Sequence, residues 1–155
     1  MDLTIPGLIA SMVVFVIIFG MLALIFDVTL RVLDQQRLYT EFYSEAQRLT
    51  NIIDMFLTNS VWTNEIAVSK NSITLDYFTP SQSTVIKQSK VLKVENGALI
   101  YDGKKITDIS LVVKSVRFSL SQIGGKKYII LTIEPKFEKF KVYTVPLLTA
   151  LSEAS

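Results

Sequence analysis

The stretch LTIPGLIASMVVFVIIFGMLALIF, residues 3–26, contains no charged side chain and only two hydroxyl groups. A helix needs roughly 20 apolar residues to cross about 30 Å of hydrocarbon, and this stretch is long enough. A secretory signal has an apolar core of about 7–15 residues behind a basic segment, whereas this stretch is longer and lacks the basic flank. We therefore predict a membrane-spanning helix and not a cleaved signal.

Individual residues of the apolar stretch suit a membrane helix. Pro6 lies in the first turn, where its missing N–H costs little. Gly20 near mid-span is tolerated in membrane helices and lets a neighbouring helix approach closely. Phe15 and Phe26 belong to a surface that is apolar on every side.

The orientation of this span is ambiguous from the charges alone. The nearest basic residues, Arg31 and Arg37, follow the span and none precedes it. The positive-inside rule by itself would place the C-terminal part in the cytoplasm. A basic leader ahead of Met1, removed during maturation, would reverse that assignment.

Residues 27–57, DVTLRVLDQQRLYTEFYSEAQRLTNIIDMFL, continue the helical pattern without Gly or Pro. Of the two glutamates that precede Arg48, only Glu45 is close enough along a helix to pair with it. We predict one helix over residues 3–57, ended by the polar residues 58–60, whose second half is amphipathic and lies on a sheet. Apolar residues recur at the three- and four-residue steps of one helix face at Tyr39, Phe42, Ala46, Leu49, Ile53 and Phe56.

From Trp62 onward the pattern changes to strands and turns. Asn96-Gly97 predicts a tight hairpin, and Gly124-Gly125 a second one. A break in the alternation near Gln88 and Ser89 predicts a β-bulge. Alternating residues predict strands in SITLDYF (72–78), VIKQSKVLKVE (85–95), ALIY (98–101, closed by Asp102-Gly103), SVRFSL (115–120), KYIILTIE (127–134) and FEKFKVYTV (137–145, before Pro146).

These elements predict an α+β fold, with a long N-terminal α-helix packed on an antiparallel β-sheet. We expect three segments: the apolar segment 1–26, an amphipathic continuation 27–60, and a sheet domain 61–155. Trp62, Phe78, Phe118 and the helix stripe 42–56 are expected to form the core and not a ligand pocket.

The composition argues against an enzyme. The chain has no Cys and no His, so it lacks a thiolate nucleophile, the commonest general base and the commonest transition-metal ligands. Asp102 and Asp108, six residues apart, supply too few oxygens for a calcium site. We expect no catalytic residues, metal or cofactor.

The charges are unevenly distributed. Residues 1–69 hold three basic and seven acidic side chains, a net of −4, whereas residues 70–141 hold thirteen basic and six acidic ones, a net of +7. A basic patch of Lys104, Lys105, Lys126 and Lys127 is predicted at two turns that could share one end of the sheet. Solubility accounts for such lysines, and binding of DNA phosphates is the alternative.

The start LTIPGLIASMVVF resembles the N-terminus of type IV pilins and type II secretion pseudopilins. Their mature chains commonly begin with Phe, then Thr, an apolar residue, a variable residue, Glu and Leu. On that pattern Leu3 takes the first place, Thr4 the second and Ile5 the third, Gly7 replaces the glutamate, and Leu8 follows. The later segment VENGALIYDGKKITDIS…SVRFSLSQIGGKKYIILTIE is similar to the sheet of minor pilins and minor pseudopilins.

The resemblance implies a structural subunit of a type IV pilus-like or pseudopilus filament. Segment 1–26 would be stored in the cytoplasmic membrane, with the N-terminus in the cytoplasm and the sheet domain outside, and would then move into the filament core. The implied partners are other pilin or pseudopilin subunits and an assembly platform.

The sequence departs from the family pattern at two points. Gly7 stands where the glutamate is expected, and Asp2 stands where the leader glycine is expected. In the family, the glutamate pairs with the terminal amine of a neighbouring subunit. Its replacement favours a minor subunit that starts assembly or sits at the tip, where no subunit above offers that pairing.

A different class of protein is also consistent with the sequence. A bitopic scaffold or binding protein would stay in the membrane and hold a partner with its extracytoplasmic sheet. An unpaired strand edge near residues 84–95 would accept a partner strand.

Overall fold

The computed structural model describes residues 5–58, 67–80, 85–123 and 126–151. At 77–80, 85–87, 123, 126–127 and 148–151 the description covers the backbone only. The described residues form one long helix followed by eight antiparallel strands, which confirms the predicted α+β fold class. Trp62, expected in the core, lies outside the described residues, and so does the side chain of Phe78.

The helix α1 (Ile5–Thr58) is continuous over 54 residues, as its lack of internal Pro and Gly after Met21 predicts. Contacts divide the chain into two compact units, Met1–Thr40 and Glu41–Ser155. In the first unit every described side chain but that of Leu38 is exposed. The second unit contains the C-terminal part of α1 and all eight strands.

The strands form two antiparallel sheets where the sequence analysis expected one. The five-stranded sheet has the order β1-β2-β3-β4-β5, and the three-stranded sheet has the order β6-β7-β8. The N–H of Phe118 in β6 donates to the carbonyl of Lys70, after β1, at 2.9 Å and links the sheets. The strands are β1 (Val68–Ser69), β2 (Ser72–Pro80), β3 (Val85–Glu95), β4 (Ala98–Tyr101), β5 (Lys104–Asp108), β6 (Val113–Ile123), β7 (Lys126–Pro135) and β8 (Tyr143–Leu151).

Glycine turns join several of these strands as predicted. Asn96 and Gly97, with φ of 50° and 71°, connect β3 to β4 in the conformation that favours Asn-Gly. Asp102 and Gly103, with φ of 50° and 77°, do more than end β4, because they form a second tight hairpin into β5. The pairing of Ile123 with Lys126 joins β6 to β7 around residues 124–125, which are not described themselves.

The predicted bulge at Gln88 and Ser89 is wrong. β2 and β3 pair without a shift from Ser72 with Lys93 to Pro80 with Val85. Ser89 lies opposite Asp76, and its hydroxyl donates to the Asp76 carboxylate at 2.6 Å. This hydrogen bond satisfies the buried carboxylate of Asp76, so the irregular alternation needs no extra residue.

The predicted last strand is also misplaced. β8 begins at Tyr143, and Pro146 lies inside it, opposite Ile130 of β7. β8 is an edge strand, where a residue without an N–H breaks no pairing on its outer side.

The buried face of α1 differs from the predicted stripe at both ends. Phe42, Ala46, Leu49 and Ile53 are fully or almost fully buried, as predicted, and Phe118 on β6 is buried too. Tyr39, however, is mostly exposed, and Leu57 takes the fully buried place expected for Phe56. Phe56 is half-buried, and its ring stacks on Tyr101 of β4 at 4.5 Å between centroids.

Candidate functional site

The candidate site is the apolar surface of the first unit. From Ile5 to Arg37 each side chain of α1 is exposed, including Leu8, Phe15 at 62% and Phe26 at 67%. Pro6 and Gly7 lie in the first turn of α1 and are exposed too. Leu3 and Thr4, which were also assigned to this surface, lie outside the described residues.

Up to Thr29, the hydroxyl groups on this surface are bonded within the helix itself. The Ser11 hydroxyl donates to the Leu8 carbonyl at 2.8 Å, and the Thr29 hydroxyl to the Ile25 carbonyl at 2.7 Å. Beyond Phe26, Asp27 and Arg31 form an ion pair at 2.8 Å. A helix segment whose hydroxyl groups bond to its own carbonyls can enter hydrocarbon without leaving those groups unsatisfied.

Near its centre the apolar surface combines two bulky aromatic side chains with a glycine. The rings of Phe15 and Phe19 lie 4.7 Å apart and form a bulky ridge. Gly20 follows, and a Cβ built on it would meet nothing within 4 Å. The hollow at Gly20 beside aromatic rings suits close packing against another helix or against lipid chains.

An apolar surface of this extent must be covered in solution. Soluble monomers rarely expose contiguous apolar patches larger than a few hundred square ångströms. α1 is long and apolar enough to cross a membrane, and no part of its most apolar window is buried within the chain. The chemistry available to this surface is therefore insertion into lipid or packing against other apolar helices.

A polar clamp fastens α1 within the second unit. Arg48 and Glu45 form the predicted ion pair at 2.7 Å. Arg48 also donates to the Thr107 hydroxyl at 2.7 Å and to the Asp108 carbonyl at 2.9 Å, and the N–H of Ser110 donates to Glu45 at 3.0 Å. The sequence could not indicate these last three partners, since they lie about 60 residues away along the chain.

The clamp fixes both charges. The hydrogen bonds from Arg48 hold the pKa of Glu45 below its ordinary value against the opposing effect of burial, and the Ser110 N–H lowers it further. Hydrogen bonding to Glu45 likewise raises the pKa of Arg48. The clamp is structural, because it joins the helix to β5 and to the β5–β6 connection.

The predicted basic patch is divided between the two sheets. Lys104 and Lys105 are exposed on β5, and Lys105 pairs with Asp108. Lys126 and Lys127 begin β7, where only the backbone is described. The grouping of these four lysines therefore stays a prediction.

The strand edge proposed for partner binding is shorter than predicted. Residues 92–95 of β3 pair on one side with β2 or its preceding turn and on the other with β4. The N–H of Asp102 donates to the Val91 carbonyl at 2.9 Å. Among the described residues, the part of β3 that keeps an open edge is 85–89.

Comparison with protein-family models, with curated proteins and with solved structures finds no match to this chain. The fold and the site themselves define an α+β protein with one N-terminal helix able to cross a membrane.

Proposed function

We propose that this chain is a structural subunit of a type IV pilus-like or pseudopilus filament. The observation that carries the proposal is the contrast along α1. From Ile5 to Arg37 every side chain is exposed and most are apolar, whereas from Phe42 onward one face is buried in the second unit. The apolar part is stored in the bilayer and then moves into a filament core, where neighbouring helices replace lipid around it.

The resemblance of residues 3–8 to the pilin N-terminus supports the same proposal. So does the order of a long helix followed by antiparallel hairpins. Gly7, in the position of the family glutamate, supports a minor subunit that starts assembly or sits at the tip. The partners are other pilin-like subunits and an assembly platform, with the second unit outside the cytoplasmic membrane.

Photo-cross-linking tests the filament proposal in cells. A photoreactive phenylalanine analogue is placed at Phe15 on the apolar surface, or at Gln88 on the open part of β3. A filament subunit gives Phe15 adducts with other small membrane proteins in the fraction sheared from the cell surface. Adducts with lipid alone, and absence of the chain from that fraction, would contradict the proposal.

The same experiment tests the second candidate, a bitopic scaffold that stays in the membrane. The open edge of β3 at 85–89 is the observation that favours it, since a partner strand can extend a sheet at such an edge. A scaffold gives protein adducts at Gln88 and none at Phe15.

Thiol labelling tests the orientation. The chain has no cysteine, so Gln122→Cys, exposed on β6, introduces a unique thiol. Intact cells should react at this position with a maleimide that cannot cross the membrane. Labelling only after lysis would place the second unit inside the cell.

A further inference from the structure

Two turns of the second unit form one surface. In the turn at 110–113 the N–H of Val113 donates to the Ser110 carbonyl at 3.0 Å, and in the turn at 137–140 the N–H of Phe140 donates to the Phe137 carbonyl at 3.1 Å. The N–H of Lys136 donates to the Val112 carbonyl at 2.9 Å and ties the turns together. We call residues 110–114 and 136–142 the turn face.

The turn face is basic. Its charged side chains are exposed and comprise four lysines, at positions 114, 136, 139 and 141, and one glutamate, Glu138. None of the four lysines enters an ion pair among the described residues. The nearby Glu134 is already held by Arg117 at 3.1 Å and by the Ser115 hydroxyl at 2.8 Å. The face therefore presents a net positive charge that no ion pair among the described residues neutralises.

The same face exposes apolar side chains. Leu111 is 84% exposed at the tip of the first turn, Val142 is 49% exposed, and Phe137 is 37% exposed. Two shallow grooves, of about 330 and 530 Å³, lie beside these residues and share Lys114 and Lys136 in their walls. Apolar tips among lysines are the composition of surfaces that lie at a lipid interface.

The turn face is built where the chain enters the second unit. Phe140 stacks on Phe42 at 6.5 Å between ring centroids, and Tyr143 packs edge-on against Tyr43 at 5.9 Å. Glu41 is the first residue of the second unit, and the next two helix residues are Phe42, which is buried, and Tyr43, which is half-buried. The aromatic contacts therefore lie at the start of that unit. The chain thus links the turn face to the span of the first unit, and such a link raises the effective concentration of any membrane that holds the span.

We propose that the turn face docks on anionic phospholipid headgroups of the membrane that holds α1. Lys114, Lys136, Lys139 and Lys141 attract the phosphates, while Leu111 and Val142 enter the headgroup region. The proposal rests on α1 crossing a membrane, which is part of the proposed function, and is independent of filament assembly. Docking holds the second unit against the bilayer while the subunit is stored.

The test uses the whole chain reconstituted in vesicles of phosphatidylcholine, with or without phosphatidylglycerol. A fluorophore on Val142→Cys is quenched by lipids that carry a quencher in the headgroup. Quenching is expected with phosphatidylglycerol, weakly in phosphatidylcholine alone, and less at high salt, because screening shortens the reach of the lysines. The same fluorophore on Gln122→Cys, near the opposite end of β6, is the control and is expected to stay unquenched in both vesicles.

A matched pair of charge variants completes the test. Lys139→Gln with Lys141→Gln should lower the ratio of docked to undocked protein about 25-fold, since each lysine near an anionic surface contributes about fivefold. Lys70→Gln with Lys104→Gln removes the same charge elsewhere on exposed positions and should leave the ratio unchanged.

Equal quenching at residues 142 and 122 would overturn the docking proposal. So would equal effects of the two double lysine variants on the ratio of docked to undocked protein. Energy transfer between labelled copies that rises with protein density, without dependence on lipid charge, would overturn it in favour of a second copy as the occupant. Failure of the chain to float with either vesicle would overturn it together with the membrane span.

Discussion

Arg48 carries more of the second unit's polar contacts than its place on an exposed helix surface suggests. Its side chain is 42% exposed, yet it binds Glu45, Thr107 and the Asp108 carbonyl. Arg48→Met should lower the free energy of unfolding by about 1–3 kcal/mol, because Glu45 is only 11% exposed and would lose its cation. Chemical denaturation of the whole chain in detergent measures this change.

The control for Arg48 is Arg31→Met. Arg31 forms a similar helical ion pair with Asp27, but both side chains are more than half exposed and have no other described partner. Its loss should change stability by less than about 1 kcal/mol. Equal effects of the two variants would show that the clamp contributes no more than an ordinary surface pair.

Glu45 should make stability depend on pH at the acidic end. Its pKa is lowered in the folded chain from an ordinary value of 4.5, so the folded state binds the proton less readily than the unfolded state. The stabilisation is therefore complete above the unfolded pKa and is lost as pH falls through the lower folded pKa. Denaturation midpoints measured below pH 4.5 should fall less steeply for Glu45→Gln than for the natural chain. An unchanged slope would show that other carboxylates govern acid unfolding.

At the scale of elements, the buried face of α1 is the feature that positions the sheets. Leu57 is fully buried, while Met55, two residues earlier, is 54% exposed. Leu57→Ala should destabilise the second unit by about 2–5 kcal/mol, because it leaves a cavity in a packed core. Met55→Ala, a matched truncation on the outer face, should cost less than about 1 kcal/mol. Thermal unfolding of both variants measures the difference. Similar losses of stability would contradict the observed burial of Leu57 and exposure of Met55.

The sequence predicted the elements that depend on local chemistry. Asn96-Gly97 forms its hairpin because both residues adopt positive φ, and α1 is continuous because no helix breaker interrupts it after Met21. Features that depend on distant residues were missed. Asp76 and Ser89 satisfy each other across two strands, so the expected bulge is absent, and Pro146 is tolerated because β8 is an edge.

The candidate site, too, has some features that the sequence reveals and others that depend on residues far apart along the chain. The apolar character of residues 5–26 is readable in the sequence, and the structure adds that none of the described residues covers it. The turn face brings together Lys114 and Lys136, residues that only the pairing of β6 with β7 makes neighbours. A residue's spacing along the chain cannot reveal such a surface, because it depends on the register of two strands.

At the scale of the whole molecule, the two units differ in how their apolar side chains are satisfied. The second unit buries a core of its own, from Phe42 on the helix to Leu147 on β8. The first unit leaves its apolar side chains exposed and depends on lipid or on other chains for cover. Assembly in the proposed filament therefore depends on the first unit. Whether that unit carries a charged residue should decide whether the subunit is a minor or a bulk component.

Gly7 is the residue on which that rank is tested. A glutamate in the apolar span would cost up to about 2.5–3.5 kcal/mol, the value at the centre of a membrane helix, unless an amine neutralised it, and a subunit at the top of a stack would meet no such amine. Gly7→Glu should therefore leave the number of filaments unchanged or reduce it, whereas deletion of the chain should reduce it sharply, as counted by electron microscopy. Gly7→Ala, which adds bulk without charge, is the control and should behave like the natural chain.

More filaments with Gly7→Glu, or this chain as the main mass of purified filaments, would contradict a minor role. Packing of the apolar spans alone would then have to replace the missing charge pair in every subunit.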